Sequence, residues 1–300
     1  MSSGRTGSAS PAPPAITCLV CGETAFDPLY ATLLRCNSCG FVTADMASAD
    51  IDPYALYGPG YFSGEEYIDY LGDKQVIQRN ARRWLGIVRK YVPQGRLVEL
   101  GSAYGFFLEL AQRFFDVLGY DVSEEGVRHA NDVLRVRARN EDFITDTEPA
   151  AGSVDVVAMW DVIEHLETPD RFVERSAELL REGGYLFLTT GDIESWLARR
   201  QRERWRLIHP PTHLHYFSPS SIGNLLRRVG FEVERISYPG YSRSIEQILY
   251  GLFRLGRAGE PGPVYRGLSK LLPQKMGVYV NTRDIMLVVA RKTAQARSDA

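Results

Sequence analysis

Between Arg96 and Thr190 the chain alternates short apolar runs with amphipathic segments, and this rhythm constrains its fold more than any other feature. LVEL, DVLGYD, VRAR, VDVVAMW and YLFLTT read as strands, with helices predicted at Phe106–Arg113, Glu124–Val133 and Pro169–Leu180 between them. Such alternation belongs to a parallel sheet with helices on both faces, a doubly wound α/β fold. Downstream, SPSSIGNLLRRVG reads as a helix with Ser218 as N-cap and Gly230 as its stop. FEVERISY and IMLVVARK supply the last two strands, and Arg243 to Gly277 reads as helical. Upstream, Val76, Ile77, Trp84, Leu85 and Val88 give one apolar helical face between Glu65 and Tyr91, closed by Pro93 and Gly95.

The 300 residues, 44% apolar and 11% aromatic, suffice for one large domain and a small appendage. A formal charge of −2 gives no global reason to expect nucleic acid or an anionic membrane as partner. No stretch approaches eighteen apolar residues, and Met1 to Pro14 is small and polar, without the apolar centre of a secretory signal. A cytoplasmic protein is expected. The boundaries read as a tail over 1–15, a cysteine module over 16–44, an aromatic connector with N-terminal helices over 45–92, a main domain over 93–293, and a tail over 294–300. Oligomeric state is left open.

All four cysteines fall between Cys18 and Cys39, so they form one device. Cys18-x-x-Cys21 and Cys36-x-x-Cys39 make two thiolate pairs, each followed by a glycine, Gly22 or Gly40, that suits a tight turn around a metal. Four thiolates match tetrahedral Zn²⁺, whose charge offsets their mutual repulsion. With every position filled by protein, such a zinc ion is structural. Two disulfides, free thiols and an iron–sulfur centre are the alternatives.

Glu99-Leu-Gly101-Ser-Ala103-Tyr-Gly105 follows the strand RLVEL and precedes the helix FFLELAQRF. Glycines at a strand-to-helix turn let a ligand approach the backbone closely. Twenty residues after Gly101, Asp121 ends the next strand, where a carboxylate can accept hydrogen bonds from both ribose hydroxyls. A nicotinamide site, with its G-x-G-x-x-G, would want glycine where Ala103 stands.

VELGSAYG, GYDVS and DVVAMWDVIEHLETPD resemble the first, second and fourth motifs of class I S-adenosylmethionine (SAM)-dependent methyltransferases, in the group sharing D-V-I-E-H-L with ubiquinone-biosynthesis O-methyltransferases. The tetracysteine module with its YF-containing connector is similar to bacterial sugar and natural-product methyltransferases. The resemblance implies a Rossmann-like seven-stranded sheet of order 3-2-1-4-5-7-6 with an N-terminal zinc ribbon. It also implies that Glu99, Gly101 and Gly105 shape the methionine end of a SAM site, with Ala103 at a position where the family often has glycine. Asp121 would hold the ribose, Glu141 or Asp142 the adenine amine, and Trp160 and Asp161 would line the cleft.

Methyl transfer needs alignment of acceptor, methyl and sulfur, and often a base with a pKa near neutrality, for which histidine is the natural choice. Of the five histidines, His129 falls on a surface helix. His165 follows the fourth strand and reads as a general base, as a member of an Asp161, Glu164, His165 cation site by likeness to the E-x-x-E-H of some relatives, or as a brace of its turn. His213 and His215 stand in HPPTHLHYF, where class I enzymes place the acceptor lid, and are the other candidates to reach an acceptor. ARRQRERWR carries five arginines that either face solvent or grip the phosphate of an anionic acceptor. The expected activity is methylation of a small molecule: a sugar, sugar nucleotide or secondary metabolite. The alternatives are an RNA- or protein-directed methyltransferase docking through the zinc module, and a non-catalytic SAM-binding module.

Overall fold

The computed structural model describes residues 16–45, 70–253 and 276–293. Both predicted tails, most of the aromatic connector and the later part of the predicted helical region after Arg243 lie outside these residues.

The cysteine segment folds as three short strands, β1 (Phe26–Pro28), β2 (Leu33–Cys36) and β3 (Val42–Ala44). The main domain opens with helix α1 (Lys74–Tyr91), whose Val76, Trp84, Leu85 and Val88 are buried on one face as their spacing requires. Then follow β4 (Gly95–Leu100), α2 (Phe106–Ala111), β5 (Phe115–Tyr120), α3 (Glu124–Asp132), β6 (Ala138–Arg139) and β7 (Val154–Trp160). After β7 come α4 (Pro169–Leu179), β8 (Leu180–Gly191), α5 (Trp196–Gln201), β9 (His215–Tyr216), α6 (Pro219–Arg228) and β10 (Phe231–Ser237). A strand β11 (Tyr241–Ser244), helix α7 (Ile245–Phe253), β12 (Gly277–Val280) and β13 (Ile285–Lys292) complete the described elements.

Seven strands form the central sheet in the order β10-β13-β8-β7-β4-β5-β6. Numbered along the chain as seven, this is 3-2-1-4-5-7-6 read from the β6 edge, as the resemblance implies. β4 to β8 are parallel, while β13 runs antiparallel between β8 and β10. The near-continuous apolar run of β7 is what burial on both sheet faces requires. α1, α2 and α3 cover one face through Trp84, Leu108 and Ala130. α4 and α6 cover the other through Val173 and Leu225. At α6 the Ser218 side chain accepts from Ser221 N and the Ser221 side chain accepts from Ser218 N, a full capping box.

The segment from Gly191 to Pro219, irregular by sequence, is tied down at several points, two of which set its course. Trp205 Nε1 donates to Asp284 Oδ2 at 2.8 Å, and the Arg206 guanidinium grips both Asp284 oxygens at 2.9 and 3.2 Å. Asp284 is fully buried, so this pairing offsets the desolvation of its charge. The second tie is β9, which pairs antiparallel with β3: Val42 faces Tyr216 and Thr43 faces His215. The cysteine module is thereby a four-stranded sheet, β1-β2-β3-β9, completed by one strand from the main domain. Cys18, Val20, Cys36 and Phe41 are buried in the same core as Phe217, Ile222 and Leu226.

Candidate active site

A cleft opens beyond the carboxyl ends of β4 and β7, lined by Glu99, Gly101 and Ser102 on one side and Trp160 and Asp161 on the other. α1 contributes Asn80 and Trp84 to its wall, and β11 contributes Tyr241 and Arg243. Gly101 has φ +71°, and a Cβ there would stand 2.4 Å from Val162 Cγ2. Only glycine satisfies that turn. Asp161 and Ala103, by contrast, adopt left-handed backbone with side chains, at φ 56° and 46°. Such conformations cost energy that surrounding contacts must offset, and they gather at functional sites.

Those contacts are visible for Ala103: its N–H donates to Asp121 Oδ2 at 2.6 Å, while Ser123 N donates to Oδ1 at 2.9 Å. Burial raises the Asp121 pKa and the two N–H bonds oppose that. Each carboxylate oxygen retains a free lone pair. Glu99 Oε2, Ser102 Oγ and Trp160 Nε1 are buried without a hydrogen-bond partner. Orphaned polar atoms of this kind, gathered in one cleft, call for a ligand. Desolvation, reinforced by Asp121, holds the Glu99 carboxyl well above the usual range. A cation entering beside Glu99 would oppose both effects and favour the ionised carboxylate.

At the other end Asp161 Oδ1 accepts from Thr189 Oγ1 at 2.8 Å and from Tyr241 OH at 3.1 Å. Trp160 lies against Trp84, with ring centroids 5.9 Å apart, and Tyr241 meets Trp84 edge-on at 5.3 Å. Sequence reading missed Tyr241, Arg243 and Asn80.

The cleft therefore brings together Glu99, Gly101, Trp160 and Asp161, with Asp121 hydrogen-bonded to the turn that forms its floor. Glu141 is exposed beyond β6, and Asp142 caps its own turn through Ile144 N and Thr145 Oγ1. His165, His213 and His215 do not line the cleft. His215 has both nitrogens engaged, Nδ1 with Thr43 Oγ1 at 3.1 Å and Nε2 with the Glu167 carbonyl at 3.4 Å. The strand pairing that buries it turns it from an acceptor-facing base into a brace between module and domain. Of the five arginines in ARRQRERWR, Arg206 is spent on Asp284, and the other four are exposed.

His165 and His213 form a second cluster behind Asp161. His165 Nδ1 donates to the Thr212 carbonyl at 2.8 Å and His213 Nδ1 to the Leu207 carbonyl at 2.9 Å, so both Nε2 atoms keep their lone pairs. Burial pushes His165 down to about 4 and holds His213 well below its ordinary value, so both imidazoles are neutral at pH 7. Glu164, whose Oε2 is buried and orphaned, is pushed up to about 8 by burial and by Asp161. Ligand atoms of Glu164, His165 and His213 lie within 4.8 Å of one another. Asp161, expected beside them by the E-x-x-E-H likeness, is instead held by Thr189 and Tyr241.

In the cysteine module Cys18 Sγ and Cys39 Sγ are 3.5 Å apart, and Cys21 Sγ and Cys36 Sγ 3.6 Å. A disulfide would bring sulfurs to about 2.05 Å. Four sulfurs at roughly 2.3 Å from a tetrahedral zinc stand about 3.8 Å apart. The donor set and its spacing thus fit zinc.

The family model described as a methyltransferase domain matches residues 73–236. The chain belongs to this family. It is a class I SAM-dependent methyltransferase. Among its relatives, the ubiquinone biosynthesis O-methyltransferase of Bordetella avium is 23% identical over 208 residues, 65% of this chain and 85% of that one. A Mycolicibacterium smegmatis protein named a probable S-adenosylmethionine-dependent methyltransferase is 32% identical over 162 residues, 53% of this chain and 57% of that one. A Bacillus halodurans protein solved as a candidate methyltransferase shares the fold at TM-score 0.51 and 15% identity, covering 72% of this chain and all of that one. Among the described residues no helix is long and apolar enough to cross a membrane.

Proposed function

We propose that this methyltransferase acts on a small molecule, of the sugar, sugar-nucleotide or secondary-metabolite kind, and that its donor occupies the cleft between β4 and β7. The observation that carries the reading is the aromatic enclosure of the cleft by Trp84, Trp160 and Tyr241, which suits a small acceptor rather than a macromolecule. The alternative of RNA docking through the zinc module is disfavoured, because that module shares its core with α6 and β9.

The residues present fit SAM. Glu99 offers its orphaned oxygen to the donor's ammonium group, Gly101 lets the methionine chain pass the backbone, and Asp121 takes the ribose hydroxyls. Bound SAM supplies a methyl group already activated on sulfonium sulfur, so the protein's part is alignment and, for a hydroxyl acceptor, proton removal. Asp161, steadied by Thr189 and Tyr241, is the carboxylate at the acceptor end of the cleft. It replaces the histidines as the group able to hold an acceptor proton. Incubation with labelled SAM and fractionated metabolite and RNA pools tests this: label should enter a metabolite fraction. Label confined to RNA would overturn the reading.

A divalent-cation site is a second reading, favoured by the orphaned Glu164 oxygen facing two histidines whose Nδ1–H groups are already committed to carbonyls. The ligands are then Glu164, His165 and His213, without Asp161. Titration with Mn²⁺ should show one site that Glu164→Gln weakens at least tenfold. Absence of saturable binding by the unsubstituted protein would reduce the three residues to a brace of the turn.

A further inference from the structure

Charge balance in the cleft singles out one residue. Among the described residues its lining includes the carboxyl groups of Glu99 and Asp161 but a single basic side chain, Arg243. β11 presents that arginine rigidly. On one side Ser242 exchanges two backbone hydrogen bonds with the Asn80 side chain, at 2.9 and 2.7 Å, and Arg83 donates to Ser242 Oγ at 3.0 Å. On the other side Ser244 Oγ donates to Asp73 and accepts from Gln247 N. The backbone of β11 is further fixed by pairing with β12, where Arg243 faces Val278.

Held this way, the half-buried Arg243 guanidinium makes no hydrogen bond and no ion pair among the described residues and lies over the Tyr241 ring, 6.0 Å from its centroid. Its charge reaches Asp161 and Arg206. Neither is bonded to it: Asp161, whose Oδ1 accepts from Thr189 and Tyr241, attracts the guanidinium without forming an ion pair with it, and Arg206 is a second cation already locked to Asp284. The polar neighbours of Arg243 in the cleft wall are committed as well, Asn80 to Ser242 and Gln247 to Asp73. A half-buried guanidinium on a fixed strand, in contact with a ring that takes up none of its five N–H donors, is set up to take a planar or tetrahedral oxyanion in bidentate fashion.

We propose that Arg243 is the anion-binding residue of this cleft, holding a carboxylate or phosphate oxyanion of a bound ligand. The proposal rests on the reading of the cleft as the donor site. Two sources offer such a group: the methionine carboxylate of the donor, whose ammonium would face Glu99, and an anionic substituent on the acceptor. The fork geometry serves either.

The test compares the full-length protein with Arg243→Gln and Arg243→Lys, after confirming equal thermal melting. Binding is measured for S-adenosylhomocysteine, for 5′-methylthioadenosine, which lacks the amino-acid end, and for inorganic pyrophosphate on the S-adenosylhomocysteine-loaded protein. If the donor carboxylate is the ligand, Arg243→Gln weakens S-adenosylhomocysteine about 10- to 100-fold and leaves 5′-methylthioadenosine unchanged. If the acceptor supplies the anion, both adenosine ligands are unchanged and pyrophosphate binding falls by a similar factor. In either case lysine restores part of the loss. Variants indistinguishable from the parent in all three measurements would overturn the proposal alone. Failure of the parent protein to bind S-adenosylhomocysteine would overturn the donor-cleft reading and the proposal with it.

Discussion

Replacing Asp121 with alanine is expected to weaken S-adenosylhomocysteine binding by about 100-fold or more, the largest effect of any single change in the donor cleft. The carboxylate has two tasks. Each oxygen accepts one backbone N–H, from Ala103 and Ser123, and on the proposed reading each keeps a lone pair that a ribose hydroxyl would fill. Hydrogen bonds to a charged acceptor are worth roughly 1.5–3 kcal/mol each, so loss of both ribose contacts alone reaches the stated factor. Alanine also frees Ala103, whose left-handed backbone at φ 46° depends on that bond, so the turn carrying Gly101 relaxes. Asp121→Asn separates the two tasks. It keeps a side chain of the same shape but a single acceptor oxygen, so it can hold the Ala103 N–H that supports the turn while giving up the Ser123 bond, and its affinity should fall about tenfold, between parent and alanine. Calorimetry with S-adenosylhomocysteine reads both variants. Affinity for Asp121→Ala within threefold of the parent would remove Asp121 from the site.

The parts of this molecule that could be read from the sequence are those whose causes are local. The apolar run of β7, the glycine turn after β4 and the Ser218 cap each declare themselves within a few residues, and neighbouring strands then pair in parallel by short crossovers. What stayed hidden depends on contacts across the chain. β9 is two residues long and exists because Thr43 and Val42 lie opposite it, some 170 positions earlier. The β11–β12 pairing, which brings Tyr241 and Arg243 to the cleft, joins segments that give no periodic signal of their own. The histidine-rich stretch advertised itself by composition, but composition carries no direction. Its direction is set by β9 pairing and by the Asp284 anchor, which turn His215 and Arg206 inward. The histidines expected to reach an acceptor are therefore absent from the cleft lining, where Asp161 and Tyr241 stand.

Because the cysteine module is completed by β9, loss of a zinc ion that its four cysteines would hold should be felt far from the cysteines. Cys21→Ser is expected to lower the melting temperature by on the order of 10 °C or more, with loss of bound zinc. Cys21 is the informative choice because it is exposed, whereas Cys36 is only 1% exposed and sits in the shared core. A substitution at Cys36 removes a ligand and disturbs packing together; one at Cys21 removes the ligand alone. If the metal carries the stability, the two variants melt nearly alike. If packing carries it, Cys21→Ser stays close to the parent. The damage should also have a direction. Phe41 lies 5.4 Å from His215 and 5.3 Å from Phe217, and Ala44 N donates to the Leu214 carbonyl at 2.8 Å. Release of β3 therefore unseats β9 and with it His213, which is two residues away. Hydrogen exchange should rise over 207–217 and over the module, while β4, β5 and β7, held by parallel pairing in the middle of the sheet, stay protected. S-adenosylhomocysteine binding, which depends on the β4 turn and Asp121, should change much less than the exchange at 207–217. Uniform exchange across the whole domain, or none at β9, would show that the module does not hold this segment in place.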